Sequence, residues 1–447
     1  MNIEIGRNLI KKREFIQALN FFLRLEKKEK DKTRIYFFLG LIYSELNNYK
    51  KSIENYKKCL KLQPGLPQAM FNLAIEKQNI GKVEEARSIY LKILEKNKFN
   101  IRIYFALYSL NPDFISNEYY DVIDEIEKSN KLNLNERSML CYLKSKKQKI
   151  KKNKVREIFY LKNFHKFCFN ENKIFNEQSQ YYYLKIINKF FNNLKFENET
   201  KNSIKNFRPI FIIGLPRSGS TLIESILTSS NHEILSAGEC NYMNMCMVSQ
   251  LDKNILVNKI KIKKFSVDLK KTLFFLKKNY ESINVLNNDI FVDKSLENFF
   301  NIDLILKIFP KAKFIHSYRD YNDSVISIYQ SFLNQLSWTH SIKDILDYVD
   351  NYIKIINYFN RKYKNKILNI NLKDITNNKK IFSKKIFDFC DLEWSEDVLD
   401  FYKRKNLLIK TLSNSQVRNK IFQYKDRKYQ DYYYLFEEYK KNYPWLK

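Results

Sequence analysis

Hydrophobic and polar positions along this chain follow one spacing in its first half and another in its second. Early on, apolar and small residues fall at helical intervals, and the pattern repeats. Leu39, Asn47, Ser52, Tyr56 and Leu60 return 34 residues later as Leu73, Gly81, Ala86, Tyr90 and Leu94. One period earlier the frame lands on Ile5, Phe15, Ala18 and Phe22, and Pro64 stands where a repeat closes. Ile101 to Leu110 begins a further unit. Residues 111–206 stay helical in period, with basic interruptions such as Lys144-Ser145-Lys146-Lys147, and no turn-rich linker precedes Pro209. After Pro209, short apolar runs alternate with helical segments. Strands are predicted at 209–213, 234–237, 290–292, 312–317 and 366–371, and helices at 221–229, 297–309, 320–334, 342–360 and 377–391. That alternation predicts an open parallel sheet with helices on both faces, whose ligands bind at the carboxyl ends of the strands.

The N-terminal pattern resembles the tetratricopeptide repeat, in which small residues let paired helices touch and aromatic rings fill the gap. The fold class is therefore an α-solenoid followed by an α/β domain. The division is 1–110 for the repeats, 111–206 for a helical connector with degenerate repeats, and 207–447 for the α/β domain. Stacked repeats of this kind present a concave face that binds extended peptides. Three roles stay open: recruitment of a protein or peptide partner, packing against the α/β domain, or homodimerisation.

Arg208 to Leu227 reads RPIFIIGLPRSGSTLIESIL. A wholly apolar strand, a turn of small residues and a helix N-terminus make an anion cradle, because backbone N–H groups and the helix dipole both favour a phosphate. Gly214, Gly219 and Thr221 are in register with the GxxxxGK[ST] phosphate loop, but Ser220 stands where that loop has lysine. The missing lysine and the lack of an evident second acid disfavour an ATPase or a P-loop kinase. A second segment, Phe314 to Asp320, places Arg319 at a strand end, with Ser327 two helical turns on. Such a pair can hold one phosphate group.

In this order and spacing, PRSGST and Arg-x7-Ser resemble the sulfotransferase family, over roughly 206–447; together with the repeats, the closest likeness is to bacterial tetratricopeptide-repeat sulfotransferases, relatives of the protein-tyrosine enzymes. The resemblance implies that Arg217, Ser218, Gly219, Ser220 and Thr221 hold the 5′-phosphosulfate of 3′-phosphoadenosine 5′-phosphosulfate (PAPS), and that Arg319 and Ser327 hold its 3′-phosphate. It implies a catalytic lysine at Lys294, in Asp293-Lys294-Ser295, and a general base at Glu239, after Gly238. It also implies a closing segment at Ser413 to Arg418 over the nucleotide, with Arg418, Asn419 and Lys420 as the candidates for the contact and Arg418 the first of them. The animal tyrosine enzymes carry two adjacent acids after the glycine, whereas Cys240 follows Glu239 here. The expected activity is sulfuryl transfer to a hydroxyl, most specifically a protein tyrosine. The alternatives are a carbohydrate or small-metabolite acceptor, or an inactive repeat scaffold that binds nucleotide.

Composition changes little in this picture. The net charge of +31 would fit a nucleic-acid binder, but Lys, Asn, Ile, Phe and Tyr are inflated throughout while the chain has only 7 Gly and 7 Pro. That bias is the mark of an AT-rich genome, so no nucleic-acid partner is expected. Six cysteines form no CxxC pair and read as reduced, mostly buried thiols, and no metal is expected. No secretory signal or apolar run of about 18 residues appears, so a cytoplasmic protein without a membrane partner is expected. Of the histidines that could serve as alternative bases, His232 and His340 stay open, while His316 reads as a core residue. Trp338 and Tyr432-Tyr433-Tyr434 read as packing.

Overall fold

The computed structural model describes residues 3–128, 131–198, 206–230, 232–403, 421 and 423–446. They divide into two compact units, one running to Glu157 and one from Ile158 to Lys403 with the C-terminal segment.

In the first unit helices come in successive pairs: Ile3–Lys11 with Phe15–Lys28, Thr33–Glu45 with Tyr49–Leu62, and Pro67–Asn79 with Val83–Lys96. The 34-residue pattern has a direct steric cause. A Cβ on Gly40 would come within 2.6 Å of the Tyr56 ring, and one on Gly6 within 2.5 Å of the Phe22 ring. Ala74 occupies the corresponding place in the next repeat, where Ala74 and Tyr90 are both fully buried. The Ser52 hydroxyl also donates to the Gly40 carbonyl at 2.8 Å. Arg13, Asn47 and Gly81 stand at the turn inside each pair, and all three have positive φ. Asn and Gly adopt that conformation with little strain, and Arg13 does so in the repeat whose sequence is most worn.

Three further helices follow, Ile101–Leu110, Asn117–Lys128 and Leu134–Ile150. The basic run at 144–147 does not interrupt the last of them. Lys144 reaches Asp124 (3.1 Å) and Glu127, and Lys147 reaches Asp124 at 2.8 Å, so the lysines dock on the acidic face of the Asn117–Lys128 helix.

The second unit contains β1 (Lys195–Glu197), β2 (Ile210–Gly214), β3 (Leu235–Ser236), β4 (Ser266–Asp268), β5 (Phe291–Asp293), β6 (Lys313–Tyr318) and β7 (Ile367–Asn371). Five of these strands form a parallel sheet in the order β3-β5-β2-β6-β7. β2 is central and buried along its whole length, as its uninterrupted apolar run requires. The α-solenoid-then-α/β reading therefore holds. Each sheet strand begins one residue later than the hydrophobic pattern places it. β1 and β4, three residues each, pair separately and were not foreseen. The segment expected as one helix at 297–309 begins as a 3-10 turn at Leu296–Asn301 and becomes α-helical at Ile302–Ile308. The helix expected at 377–391 is present as Lys379–Phe389, and a short helix that was not foreseen, Leu372–Asn377, precedes it.

Tyr56→Ala removes the ring that fills the Gly40 gap. It is expected to destabilise the repeat unit by about 3–5 kcal/mol, the usual cost of deleting a buried aromatic side chain. Urea unfolding followed by circular dichroism measures this; an unchanged midpoint would show that the ring does not hold the pair together.

Candidate active site

The loop after β2 is shaped by close approach. Gly214 pairs with Ser317 of β6, and a Cβ at Gly214 would lie 2.2 Å from the Ser317 carbonyl oxygen, so any side chain there would force the two strands apart. Arg217 (φ 67°) and Gly219 (φ 95°) then turn the chain into the Ser220–Leu227 helix, with Gly219 at its N-cap. The Ser317 hydroxyl donates to the Ser218 carbonyl at 2.8 Å and ties the loop to β6. Ser218, Ser220 and Thr221 are buried, and the Ser218 hydroxyl has no hydrogen-bond partner among the described residues. Ser220 and Thr221 stand in the helix's first turn, and the Leu222 N–H donates to the Gly219 carbonyl at 3.0 Å.

Because β6 neighbours β2, its end lies beside this loop, and it carries Arg319. The Asp320 side chain caps the next helix, Tyr321–Tyr329, and Arg319 Nη2 donates to the Asp323 carbonyl on that helix at 2.6 Å. Ser327 is buried one turn further along. Arg319 is 9% exposed, and its Nε has no hydrogen-bond partner among the described residues. Its guanidinium lies 5.5 Å from the centre of the Tyr429 ring. The C-terminal segment is held here by one carboxylate: Asp323 accepts from the Lys428 N–H (3.2 Å), the Tyr429 N–H (3.1 Å) and the Tyr433 hydroxyl (2.9 Å). Tyr433 therefore packs at the site rather than in a remote core. Burial first, and then this carboxylate, push its phenol upward. Ser413 to Arg418 and its neighbours Asn419 and Lys420 lie outside the described residues, so the expected role of Arg418 has no structural counterpart here.

On the other side of β2, β5 ends at Asp293 and delivers Lys294. That lysine is not a surface residue: it is 0% exposed. Its Nζ donates to Glu239 Oε1 at 2.6 Å and lies 3.4 Å from Glu224 Oε2. Burial alone lowers the ammonium's pKa, but Glu224 and Glu239 outweigh it and the net shift is upward. The Lys294 N–H donates to the Gly238 carbonyl at 2.9 Å, which links the lysine to the turn that carries Glu239. Asp293, fully buried, accepts from the Tyr280 hydroxyl (2.5 Å), the Ser295 N–H (2.8 Å), Asn298 Nδ2 (3.3 Å) and Cys240 Sγ (3.3 Å). Burial and the Asp293 charge push the Cys240 thiol well up, so Cys240 is no thiolate nucleophile.

The structure thus brings Glu239 and Lys294 into contact, and places Arg319 just after β6 and Ser327 near the far end of the helix that follows. Sequence reasoning missed Glu224, Asp323 and Tyr429. The signal for Glu224 was its place on the helix that opens the loop, four residues after Ser220. His316 is a core residue, with Nδ1 2.6 Å from Asn369 Oδ1 and Nε2 against the Tyr352 hydroxyl, and burial lowers its pKa to about 4. His340 faces His165 (Nδ1 to Nδ1, 3.2 Å) and burial likewise lowers it to about 4. His232 is exposed and, among the described residues, bonds to the Glu393 backbone at 3.2 and 3.3 Å. None of the three reaches Lys294. Trp338 stacks on Tyr348 at 3.6 Å between ring centres, as packing. Among the described residues no group of three or more His, Cys, Asp or Glu is arranged to hold a metal, and no helix is long and apolar enough to cross a membrane.

Residues 209–396 match the model of the sulfotransferase family, and residues 33–65 match the tetratricopeptide repeat. The chain carries a sulfotransferase family domain and a tetratricopeptide repeat. An uncharacterized protein of Aquifex aeolicus is 28% identical over 236 residues, 50% of this chain and 31% of that relative. The photosystem I assembly protein Ycf3 of Rippkaea orientalis is 30% identical over 100 residues, 20% of this chain and 58% of that protein. This chain therefore spans less than two thirds of either relative's length. Among solved structures, the sulfotransferase domain of the Synechococcus PCC 7002 olefin synthase is 16% identical. The match covers 54% of this chain and 98% of that one, with a TM-score of 0.32. Sulfotransferase STF1 of Mycobacterium tuberculosis is 11% identical over 64% and 91% of the two chains, with a TM-score of 0.31. Both likenesses are too distant to bear on the site of the sulfotransferase domain.

Glu297, in the 3-10 turn of this domain just after Lys294, gives a pH test. It is buried, accepts from the Tyr183 hydroxyl at 2.9 Å, and burial raises its pKa from 4.5 to about 7. The folded protein then holds that proton to higher pH than the unfolded chain does. Stability contributed by this group is complete below about pH 4.5 and is lost as pH rises through about 7. Glu297→Gln is expected to flatten that part of the Tm-against-pH curve; an unchanged slope would place the titration elsewhere. Asp323→Ala should speed amide exchange at Lys428 and Tyr429, read by hydrogen exchange, whereas unchanged protection would mean that other contacts hold the segment.

Proposed function

We propose that the chain transfers a sulfuryl group from PAPS to a hydroxyl acceptor, with a protein tyrosine as the most specific acceptor. The observation that carries this reading is the fully buried Lys294 ammonium paired with Glu239, beside an anion-binding loop in a sulfotransferase family domain. The donor supplies an activated sulfuryl group on a 5′-phosphate and an extra charge at its 3′-phosphate. Two buried polar atoms without partners among the described residues, Ser218 Oγ and Arg319 Nε, fit those two anions. The glycines that let backbone N–H groups approach closely fit as well.

The chemistry asks little covalent work of the protein. Arg217, Ser218, Gly219, Ser220 and Thr221 orient the phosphosulfate, and Arg319 and Ser327 fix the 3′ end, so the sulfur faces the acceptor in line. Glu239 takes the proton of the acceptor hydroxyl as its oxygen forms the new bond to sulfur. Lys294 neutralises the charge that collects on the phosphate oxygen as the old bond to sulfur breaks. The 207–447 region would be the transferase proper, with Arg418 closing on the nucleotide.

Tetratricopeptide repeats generally mediate protein interactions, and that favours a protein acceptor over a carbohydrate or small metabolite. Six free cysteines, five of them buried, suit a reducing, cytoplasmic setting.

The test is transfer from sulfur-35-labelled PAPS to tyrosine-containing peptides by the full chain. Glu239→Gln keeps the shape and is expected to lower kcat by about 10²–10⁴, the usual range for a lost general base, with donor affinity nearly intact. Labelled sugars or metabolites without labelled peptide would replace the acceptor. A Glu239→Gln kcat within a few-fold of the parent at saturating donor would remove Glu239 from the chemistry.

A further inference from the structure

Lys294 has two carboxylate partners where the proposed reaction calls for one, and the two are held very differently. Glu239 follows Gly238 (φ 63°) on the turn after β3, and its side chain is 55% exposed. Glu224 lies on the Ser220–Leu227 helix, and its side chain is 15% exposed. Its second oxygen, Oε1, accepts from the Ser236 hydroxyl at 2.6 Å, and that hydroxyl accepts from the Gly238 N–H at 2.9 Å. The Gly238 carbonyl in turn accepts from the Lys294 N–H at 2.9 Å. A closed ring of contacts thus runs from the phosphate-loop helix through β3 to the end of β5, with Glu224 and Lys294 both in it. The Glu239 side chain lies outside the ring and can swing.

We propose that Glu224 is a positioning residue that holds the Lys294 ammonium in place while Glu239 leaves it to meet the acceptor, an inference that rests on the reaction proposed above. An ammonium wholly out of water cannot stay charged without a carboxylate beside it. If Glu239 were its only partner, turning that base toward the acceptor would strand the charge when it is needed. With Glu224 fixed, one N–H stays paired when Glu239 turns away, and the others are left for the oxygens of the reacting group. The same helix carries Ser220 and Thr221 at its first turn, so the lysine and the loop keep one geometry. The titratable groups facing the ammonium are Glu224 from this helix and Glu239 from the turn after β3. Asp293, Cys240 and Tyr280 form the adjoining network behind β5, and Glu297 interacts with Glu239.

Glu224→Gln keeps the hydrogen-bonding shape and removes the charge, and Ser236→Ala frees Glu224 from its tether. For Glu224→Gln, kcat is expected to fall about ten- to a hundredfold, while affinity for adenosine 3′,5′-bisphosphate changes no more than a few-fold. The alkaline limb of the kcat profile should move to lower pH, because the lysine loses the partner that keeps it protonated. Ser236→Ala should move both readings in the same direction by less. A parent-like kcat and an unmoved limb overturn the proposal, as does a kcat loss with an unmoved limb, which would mark a purely structural role. A second measurement needs no turnover: a thermal-unfolding cycle of Glu224→Gln and Lys294→Met in the donor-free protein. Non-additive effects are expected, and additive ones overturn the proposal. A parent chain that transfers no sulfuryl group, yet shows a non-additive cycle, would refute the function and leave the Glu224–Lys294 pairing standing.

Discussion

A lysine ammonium taken fully out of water has to be matched by negative charge at contact distance, and this requirement organises the second unit. Lys294 leaves the end of β5 with no solvent exposure, and its charge is met by carboxylates from two other elements. Glu224 reaches it from the helix that opens the phosphate loop, and Glu239 from the turn after β3. The ion pair thus joins three successive pieces of the parallel sheet at their carboxyl ends. With no carboxylate beside it, Lys294 would be far less able to remain charged. The buried Asp293 beside it is satisfied separately, by Tyr280, Ser295, Asn298 and Cys240, so it does not compete for the ammonium.

Strand order also brings Arg319 into place. β2 lies between β5 and β6, so the loop after β2 has Lys294 on one side and Arg319 on the other. Gly214 permits this adjacency, because the Ser317 carbonyl occupies the space a side chain would need. The hydrogen bond from Ser317 to Ser218 makes the loop and the arginine-bearing strand one piece.

What could be read from the sequence followed from local pattern. The apolar run of β2 and the period that pairs Gly40 with Tyr56 and Gly6 with Phe22 both act over short, regular distances, so the fold class and the phosphate loop were legible. Arg319 and Lys294 could be placed at strand ends from the pattern, while their expected roles came from the family resemblance. Glu224 was not legible, since its partner lies far along the chain and nothing in the helix marks that face as functional. Asp323 and Tyr429 were hidden for the same reason: a carboxylate in one turn of helix meets backbone N–H groups a hundred residues later. The β1–β4 pair was missed because three-residue strands carry no readable alternation. The basic run at 144–147 misled in the other direction, because its lysines pair with carboxylates of the preceding helix.

The claim that the loop after β2 and the end of β6 hold one ligand with anions at both ends is tested most directly by calorimetry. Adenosine 3′,5′-bisphosphate and adenosine 5′-phosphate would be titrated into the parent and into Arg319→Ala. The parent should bind the bisphosphate more tightly by about 1.5–3 kcal/mol, the scale of a hydrogen bond to a charged group, and Arg319→Ala should abolish that preference. Equal affinity of the parent for the two nucleotides, or a preference that survives Arg319→Ala, would contradict the account.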